Sequence, residues 1–175
     1  MSRRGQRYNP EAYRKADDAM TETAAEELRA NLVGAWTLES YESRSLDGSG
    51  VTYPLGPDAQ GIIMYTPDGY MSAQLMRSGR TPFHRNDLHP AEEELAAAAS
   101  GYLTYSGPYT VVNDALIAHH VVVSLLPNWI GGTQYRVTHL HDSRLELSLP
   151  EPALIHGERR KATLVWCRAG SEKHR

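Results

Sequence analysis

Apolar and polar residues alternate with a period of two from Leu32 onward, and this pattern predicts a series of short β-strands. Nine segments show it, namely 36–45, 50–54, 60–66, 69–77, 102–112, 115–126, 133–141, 144–149 and 161–168. Glycine, asparagine and aspartate residues between the segments are typical of tight turns. Since the segments follow one another without alternating helices, they predict an antiparallel sandwich or barrel.

Two segments depart from this period and predict helices. Asn9, Pro10 and Glu11 read as an N-cap, a first-turn proline and a first-turn acid, which predicts a helix over 10–31. A second, alanine-rich helix begins after Pro90 and ends at Gly101. The first helix has one modest apolar stripe, so we expect it to cap a sheet or to lie along one.

The segment 60–77 predicts a hairpin whose turn is Thr66-Pro67-Asp68-Gly69. If Tyr65 pairs with Tyr70, one face is aromatic and polar but uncharged, and it carries Ile63, Tyr65, Tyr70, Ser72, Gln74 and Met76. The other face is apolar and carries Ile62, Met64, Met71, Ala73 and Leu75. A sheet without a charged face favours a barrel wall with a cavity inside and a cover outside, either a helix or a second subunit.

Composition and charge narrow the function classes. The chain has 175 residues, 41% hydrophobic and 22% charged, which is typical of one globular domain. A net charge of −3 argues against nucleic acid as a partner. The single cysteine excludes an internal disulfide and fits a reducing compartment. No apolar run follows the N-terminal arginines, so we expect a cytoplasmic protein with no signal peptide and no membrane partner.

Gly34-Ala35-Trp36 resembles the G-x-W motif of lipocalins and fatty-acid-binding barrels. Together with the segments LVGAWTLESYE, GYLTYSGPY, HHVVVSLLPNWIG and ATLVWCR, it makes the chain similar to the bacterial lipocalin-like domain family over about residues 32–169. The resemblance implies an all-β, antiparallel up-and-down barrel of eight to ten strands, with Trp36 plugging one end beneath Arg168. Residues 1–31 then form a tail and helix, and 170–175 a C-terminal tail. Val122 stands where we expect an acid in this family, which makes the interior more apolar.

Uncharged hydrogen-bonding groups on apolar strands are the candidates for chemistry. The ten tyrosines, against one phenylalanine, suit a cavity that holds an apolar ligand and orients its oxygens. His119 and His120 are adjacent and therefore point to opposite faces, and we place His120 inside with Ser124, leaving the opposite phase open. We expect His120, Tyr105 and Gln74 to be catalytic. The substrate-binding candidates are Tyr65, Ser72, Met64, Met76, Trp129 and Tyr102.

Two polar segments admit other interpretations. His139, His141 and Glu146 partly resemble the first cupin metal motif, but the downstream histidine motif is missing unless His156 replaces it, so we favour a solvated hairpin and expect no metal. The segment with His84, Arg85, Asp87 and His89 is either a lid over the barrel or a surface connection.

The sequence therefore predicts a protein that binds a hydrophobic small molecule without a cofactor. The first hypothesis is a cyclase or isomerase acting on a polyketide or terpenoid, since a shaped apolar cavity with neutral donors can select a reactive conformer and stabilise a developing negative oxygen. The alternative is a carrier of lipocalin type that does not change its ligand. A homodimer is left open as a further partner.

Overall fold

The computed structural model describes residues 18–85, 90–155 and 157–170. The helices are α1 (Asp18–Leu32) and α2 (Glu92–Ser100). The strands are β1 (Gly34–Ser45), β2 (Val51–Thr52), β3 (Gln60–Tyr65), β4 (Tyr70–Met76), β5 (Tyr102–Asn113), β6 (Leu116–His120), β7 (Val123–Ser124), β8 (Thr133–His141), β9 (Arg144–Ser148), β10 (Ala153–Ile155) and β11 (Glu158–Arg168). The predicted helix start at Asn9 and Pro10 lies outside the described residues.

Eight of the strands close into an antiparallel barrel. They pair in the order β1, β3, β4, β5, β6, β8, β9, β11, and β11 then pairs with β1. The short strands β2, β7 and β10 pair with β1, β5 and β11. Closure leaves no long strand edge unpaired, which is how barrels avoid association through their edges. The predicted antiparallel barrel is confirmed, and the sandwich alternative is wrong.

Trp36 closes one end of the barrel, as the G-x-W resemblance implies. Its side chain is fully buried, and the guanidinium carbon of Arg168 lies 4.1 Å from the centroid of its ring. The Trp36 indole donates to the carbonyl of Leu32 at 2.9 Å, while Arg168 donates to the carbonyls of Asn31 and Val33. Because these carbonyls end α1, the helix is held over the plugged end, where it packs on β5 and β8.

A bulge in β1 keeps its apolar residues inside the barrel. The inward residues are Trp36, Leu38, Tyr41 and Ser43. The step from Leu38 to Tyr41 is three residues, whereas a regular strand would need steps of two. The β1–β11 register shifts between Leu38 and Ser40, so the extra residue of the bulge absorbs this step. The strand therefore presents apolar and aromatic groups inward as far as Tyr41, and the buried polar Ser43 follows them.

The hairpin of β3 and β4 has a register different from the predicted one. Tyr65 pairs with Met71 and not with Tyr70. The turn is consequently a three-residue loop that ends at Gly69, whose φ of 91° lies in the left-handed region typical of such loops. A shift of one residue moves every side chain of a strand to the other face. Met71, Ala73 and Leu75 therefore join Ile63 and Tyr65 inside the barrel.

The outer face of the hairpin carries apolar side chains that the single chain does not cover. Ile62 and Met64 are 48% and 40% exposed. The two described helices therefore leave these two residues exposed, and cover by a second subunit stays a prediction, whereas Met71, Ala73 and Leu75 are buried in the barrel interior.

Candidate functional site

A cavity of about 290 Å³ occupies the half of the barrel away from α1. We call it the barrel cavity. Leucines dominate its walls, and its lining residues are Tyr41, Ile63, Ala73, Leu75, Leu103, Tyr105, Leu126, Trp129, Gln134, Arg136, Leu147, Leu149, Ala153, Leu154, Ile155, Ala162, Leu164 and Trp166. Strand β10 and a 3₁₀ turn at Pro127–Trp129 contribute part of the wall. Such a lining, mostly apolar with a few polar groups, is typical of small-molecule sites.

A buried hydrogen-bonded chain of three side chains lies at the floor of the barrel cavity. The hydroxyl of Tyr65 lies 3.0 Å from Nε2 of His119, and the hydroxyl of Tyr105 lies 2.9 Å from Nδ1 of the same ring. His119 is fully buried, and Tyr65 and Tyr105 are 2% and 5% exposed. Of the three side chains, only Tyr105 lines the cavity, so Tyr105 is the one that a ligand in the cavity would contact.

Burial sets the protonation states of the three hydrogen-bonded side chains. It holds the pKa of His119 well below the usual 6.5, and the positive charge of Arg136 acts in the same direction. It also raises the pKa of the Tyr65 hydroxyl well above its usual range. At neutral pH the imidazole is therefore neutral, with one nitrogen that donates and one that accepts.

Counting donors assigns the tautomer of His119. With the proton on Nδ1, the imidazole donates to the Tyr105 oxygen and accepts from the Tyr65 hydroxyl. The Tyr105 hydroxyl then remains available to donate into the cavity. With the proton on Nε2, the buried Tyr65 hydroxyl hydrogen has no acceptor among the described residues, which costs free energy. The Nδ1–H form is therefore favoured when a ligand accepts from Tyr105.

Arg136 places a positive charge against the same hydroxyl. Its side chain is 7% exposed, and its guanidinium donates to the carbonyl of Tyr135 at 2.7 Å and to the Tyr105 hydroxyl at 3.4 Å. Trp129 packs on the other side, with its ring in an edge contact 5.4 Å from that of Tyr105. The Tyr105 hydroxyl is thus held between a cation, an imidazole and an aromatic wall.

Three of the predicted site residues lie at the cavity or directly beneath it. Tyr105 and Trp129 line the cavity, and Tyr65 supports its floor through His119. His120 lies on the outer face, where its ring is near the hydroxyls of Thr110 and Thr133, so its placement inside the barrel is wrong. Tyr109 pairs with His119, and both side chains point inward. The alternative left open in the sequence analysis, with His119 inside the barrel and His120 outside, is therefore the observed one.

The other five predicted residues also lie on the outer face, and their placement in the cavity is wrong. They are Gln74, Ser72, Met64, Met76 and Tyr102. The register of the β3–β4 hairpin explains the outward position of Ser72, Gln74 and Met76. Because Tyr65 pairs with Met71 and not with Tyr70, these three side chains lie on the face opposite to Tyr65. Gln74 accepts from the Tyr102 hydroxyl at 3.0 Å, and Ser72 accepts from Ser106 at 2.8 Å, so these polar groups satisfy one another on the surface.

Sequence reasoning missed His119, Arg136, Gln134, Tyr41 and Trp166. Both faces of β8 are polar, since Gln134 and Arg136 alternate with Tyr135 and His139, and a period of two therefore cannot tell which face is inside. An arginine within a predicted core strand was the available signal for a charged group facing a cavity.

The alternative chemical segments do not converge on the cavity. His139 is exposed and pairs with Glu146 across β8 and β9, while His141 contacts Asp142 at 2.9 Å. Among the described residues, no group of three His, Cys, Asp or Glu side chains is placed to hold a metal ion. His84 contacts Glu94 of α2 at 3.0 Å, whereas Asp87, His89 and His156 lie outside the described residues.

Neither helix in the described part of the chain is long and apolar enough to cross a membrane.

A closed eight-stranded antiparallel barrel, plugged by a tryptophan under an arginine and hollow at its other end, defines a small-molecule-binding protein of lipocalin type. The chain belongs to the family described as the lipocalin-like domain, whose family model matches residues 33–169. It is also similar to the 4'-hydroxy-3'-methoxypropiophenone carrier protein of Aspergillus oryzae. The two are 44% identical over 105 residues, which cover 55% of this chain and 94% of that protein.

Proposed function

We propose that the protein carries a small aromatic ketone, or a related oxygenated aromatic compound, in the barrel cavity without changing it. The volume of about 290 Å³ is at the lower end of the range for ligand sites. It therefore suits one substituted ring better than a long acyl chain. The similarity to a carrier of a methoxylated hydroxypropiophenone supports the same ligand class.

The Tyr105 hydroxyl is the observation that carries this proposal. Tyr105 lines the cavity, its hydroxyl accepts from Arg136, and with the Nδ1–H tautomer of His119 its hydrogen is left to donate to a ligand. A ligand carbonyl is a suitable acceptor for it, while the leucines, Trp129 and Trp166 surround an aromatic ring.

A cyclase or isomerase, the first hypothesis from the sequence, is the second candidate. It is favoured by the same group, because a tyrosine hydroxyl backed by a guanidinium can stabilise a developing enolate oxygen. Proton transfer also requires an acceptor in contact with the ligand. Both nitrogens of His119 already contact tyrosine hydroxyls, so this histidine is not placed to take a proton from a ligand directly. For this reason we place the carrier first.

Binding of 4'-hydroxy-3'-methoxypropiophenone to wild type and to Tyr105→Phe tests the proposal. Loss of one hydrogen bond of about 0.5 to 1.5 kcal/mol should raise the Kd about 2- to 12-fold. Tyr70→Phe is the matched control, since Tyr70 is 54% exposed and should leave the Kd unchanged. Calorimetry measures the Kd, and chromatography of the released ligand measures any turnover.

Two results would change this assignment. If no aromatic ketone binds to the wild type with a saturable isotherm, the carrier proposal is wrong. If the ligand is recovered as a new compound, and Tyr105→Phe slows its formation about a hundredfold while binding is retained, the enzyme is the correct assignment.

A further inference from the structure

The guanidinium of Arg136 is a buried cation that has no counter-ion among the described residues. Arg136 lines the barrel cavity and is 7% exposed. No carboxylate of the described residues lies within ion-pair distance of it, in contrast to the other buried arginine, Arg160, whose Nη1 contacts Glu158 at 2.8 Å. An arginine stays protonated in proteins, so the charge persists at any working pH.

The indole of Trp166 is a second donor at the same cavity, and it has no hydrogen-bond acceptor among the described residues. The indole N–H of Trp166 is buried, and no hydrogen-bond acceptor within the described ranges reaches it. Trp166 lines the cavity opposite the hydroxyl-bearing strand β5, and it is 1% exposed. A buried donor without an acceptor costs free energy, and a ligand oxygen in the cavity would remove that cost.

The charged and titratable groups around Arg136 add no negative charge. They are Tyr41 from β1, Tyr65 from β3, Tyr105 from β5 and His119 from β6; β9 and β11 present leucines, Ala162 and Trp166. Burial raises the pKa of Tyr41 and of Tyr65, so both hydroxyls stay neutral, and His119 is neutral because burial lowers its pKa. Among the residues that line the cavity, Arg136 is therefore the one formally charged side chain.

We propose that the barrel cavity binds its ligand as an oxyanion, the phenolate of an acylphenol, with Arg136 as the counter-ion. This inference rests on the proposed function and specifies the ionisation state of the ligand. A carbonyl group conjugated with the ring spreads the phenolate charge, so acylphenols ionise more readily than simple phenols. A delocalised anion also costs less to transfer into an apolar cavity than a compact one, and a buried guanidinium that contacts only neutral acceptors gains from pairing with an anion.

The ionisation of a bound acylphenol can be read directly, because a phenolate absorbs at longer wavelength than its phenol. We would titrate 4'-hydroxypropiophenone with pH, free and in complex with an excess of wild-type protein. The pKa of the bound phenol should be at least one unit lower than that of the free phenol. One unit corresponds to a tenfold tighter binding of the anion than of the neutral form. The 4'-methoxy ether, which cannot ionise, measures binding to the cavity alone.

Variants of Arg136 identify the counter-ion. In Arg136→Gln and Arg136→Met, the pKa of the bound phenol should return to its free value or above it. The Kd of the ether in each variant measures how much of the change in binding comes from the cavity alone. Arg144→Gln is the control, since it removes the same charge from a side chain that is 59% exposed and outside the cavity. This variant should keep the lowered pKa.

The outcomes separate this inference from the proposed function. If the wild type binds both compounds but leaves the pKa of the phenol unchanged, the inference is wrong and the carrier proposal stands. If neither compound binds, the carrier proposal itself fails. A pKa that stays low in both Arg136 variants would place the counter-ion elsewhere and overturn the assignment to Arg136. Should both variants fail to fold, the titration of the wild type alone still decides whether the ligand is bound as an anion.

Discussion

His119→Leu should leave the buried Tyr65 hydroxyl without a hydrogen-bond partner and lower the free energy of unfolding. Adding Tyr65→Phe should recover part of that loss. His119→Leu removes the nitrogens that lie 3.0 Å from the Tyr65 hydroxyl and 2.9 Å from the Tyr105 hydroxyl. Tyr105 keeps its contact with Arg136 and faces the cavity, where water can reach it. Tyr65 is 2% exposed and has no other hydrogen-bond partner among the described residues. The cost therefore falls mainly on Tyr65.

The magnitude follows from the price of an unsatisfied buried group. A stranded hydroxyl costs about 1 to 3 kcal/mol, and the imperfect fit of leucine in a close-packed site adds to it. We expect His119→Leu to lower the free energy of unfolding by about 2 to 4 kcal/mol. Tyr65→Phe alone should cost about 1 to 3 kcal/mol, because it leaves a nitrogen of the buried imidazole without its partner.

The double variant separates hydrogen bonding from packing. In the His119→Leu protein, Tyr65→Phe removes the hydroxyl that has lost its partner. Compared with His119→Leu alone, the double variant should therefore have a free energy of unfolding that is higher by about 1 to 3 kcal/mol. Urea unfolding followed by tryptophan fluorescence gives all four free energies, provided that the m-values agree. If Tyr65→Phe destabilises the His119→Leu protein as much as it destabilises the wild type, the two groups are not coupled and the reasoning is refuted.

Two further predictions concern pH and backbone packing. Because the folded pKa of His119 lies well below 6.5, the unfolded chain binds a proton that the folded chain does not, so stability should fall by about 1.4 kcal/mol per unit as the pH decreases from 6.5 toward the folded pKa. Urea titrations at several pH values should show this slope in the wild type and lose it in His119→Leu; an equal slope in both would contradict it. Gly107→Ala should prevent normal folding, because a Cβ there would lie 1.9 Å from the backbone oxygen of His120, whereas Gly101→Ala meets only ordinary contacts and should fold normally, as thermal denaturation would show.

The strands could be predicted because they depend on a local pattern, and the period of two located most of the barrel strands. The position of Trp36 under Arg168 was implied by the resemblance to lipocalins, since the two residues are far apart in the sequence. The face of β4 could not be predicted in the same way. Pro67 and Gly69 suit both a three-residue and a four-residue loop, so the turn does not specify the register that decides which residues of β4 share a face with Tyr65.

The site was harder to predict than the fold for a related reason. His119 and His120 are chemically identical neighbours on opposite faces, and their placement depends on how β5 pairs with β6. Arg136 can be identified as a ligand-binding candidate only once the structure shows that no carboxylate of the described residues pairs with it. That is a property of the assembled barrel and of several strands distant in sequence.

The pairing of β1 with β11 has a consequence for how the protein is made. These are the first and the last strands of the barrel, so the ring cannot close until synthesis has reached Arg168. Until then, β1 and β9 present unpaired edges, and the Trp36 ring lacks the guanidinium that covers it. Open edges of this kind are templates for pairing with other chains. The nascent protein therefore keeps two open strand edges until its last barrel strand has left the ribosome.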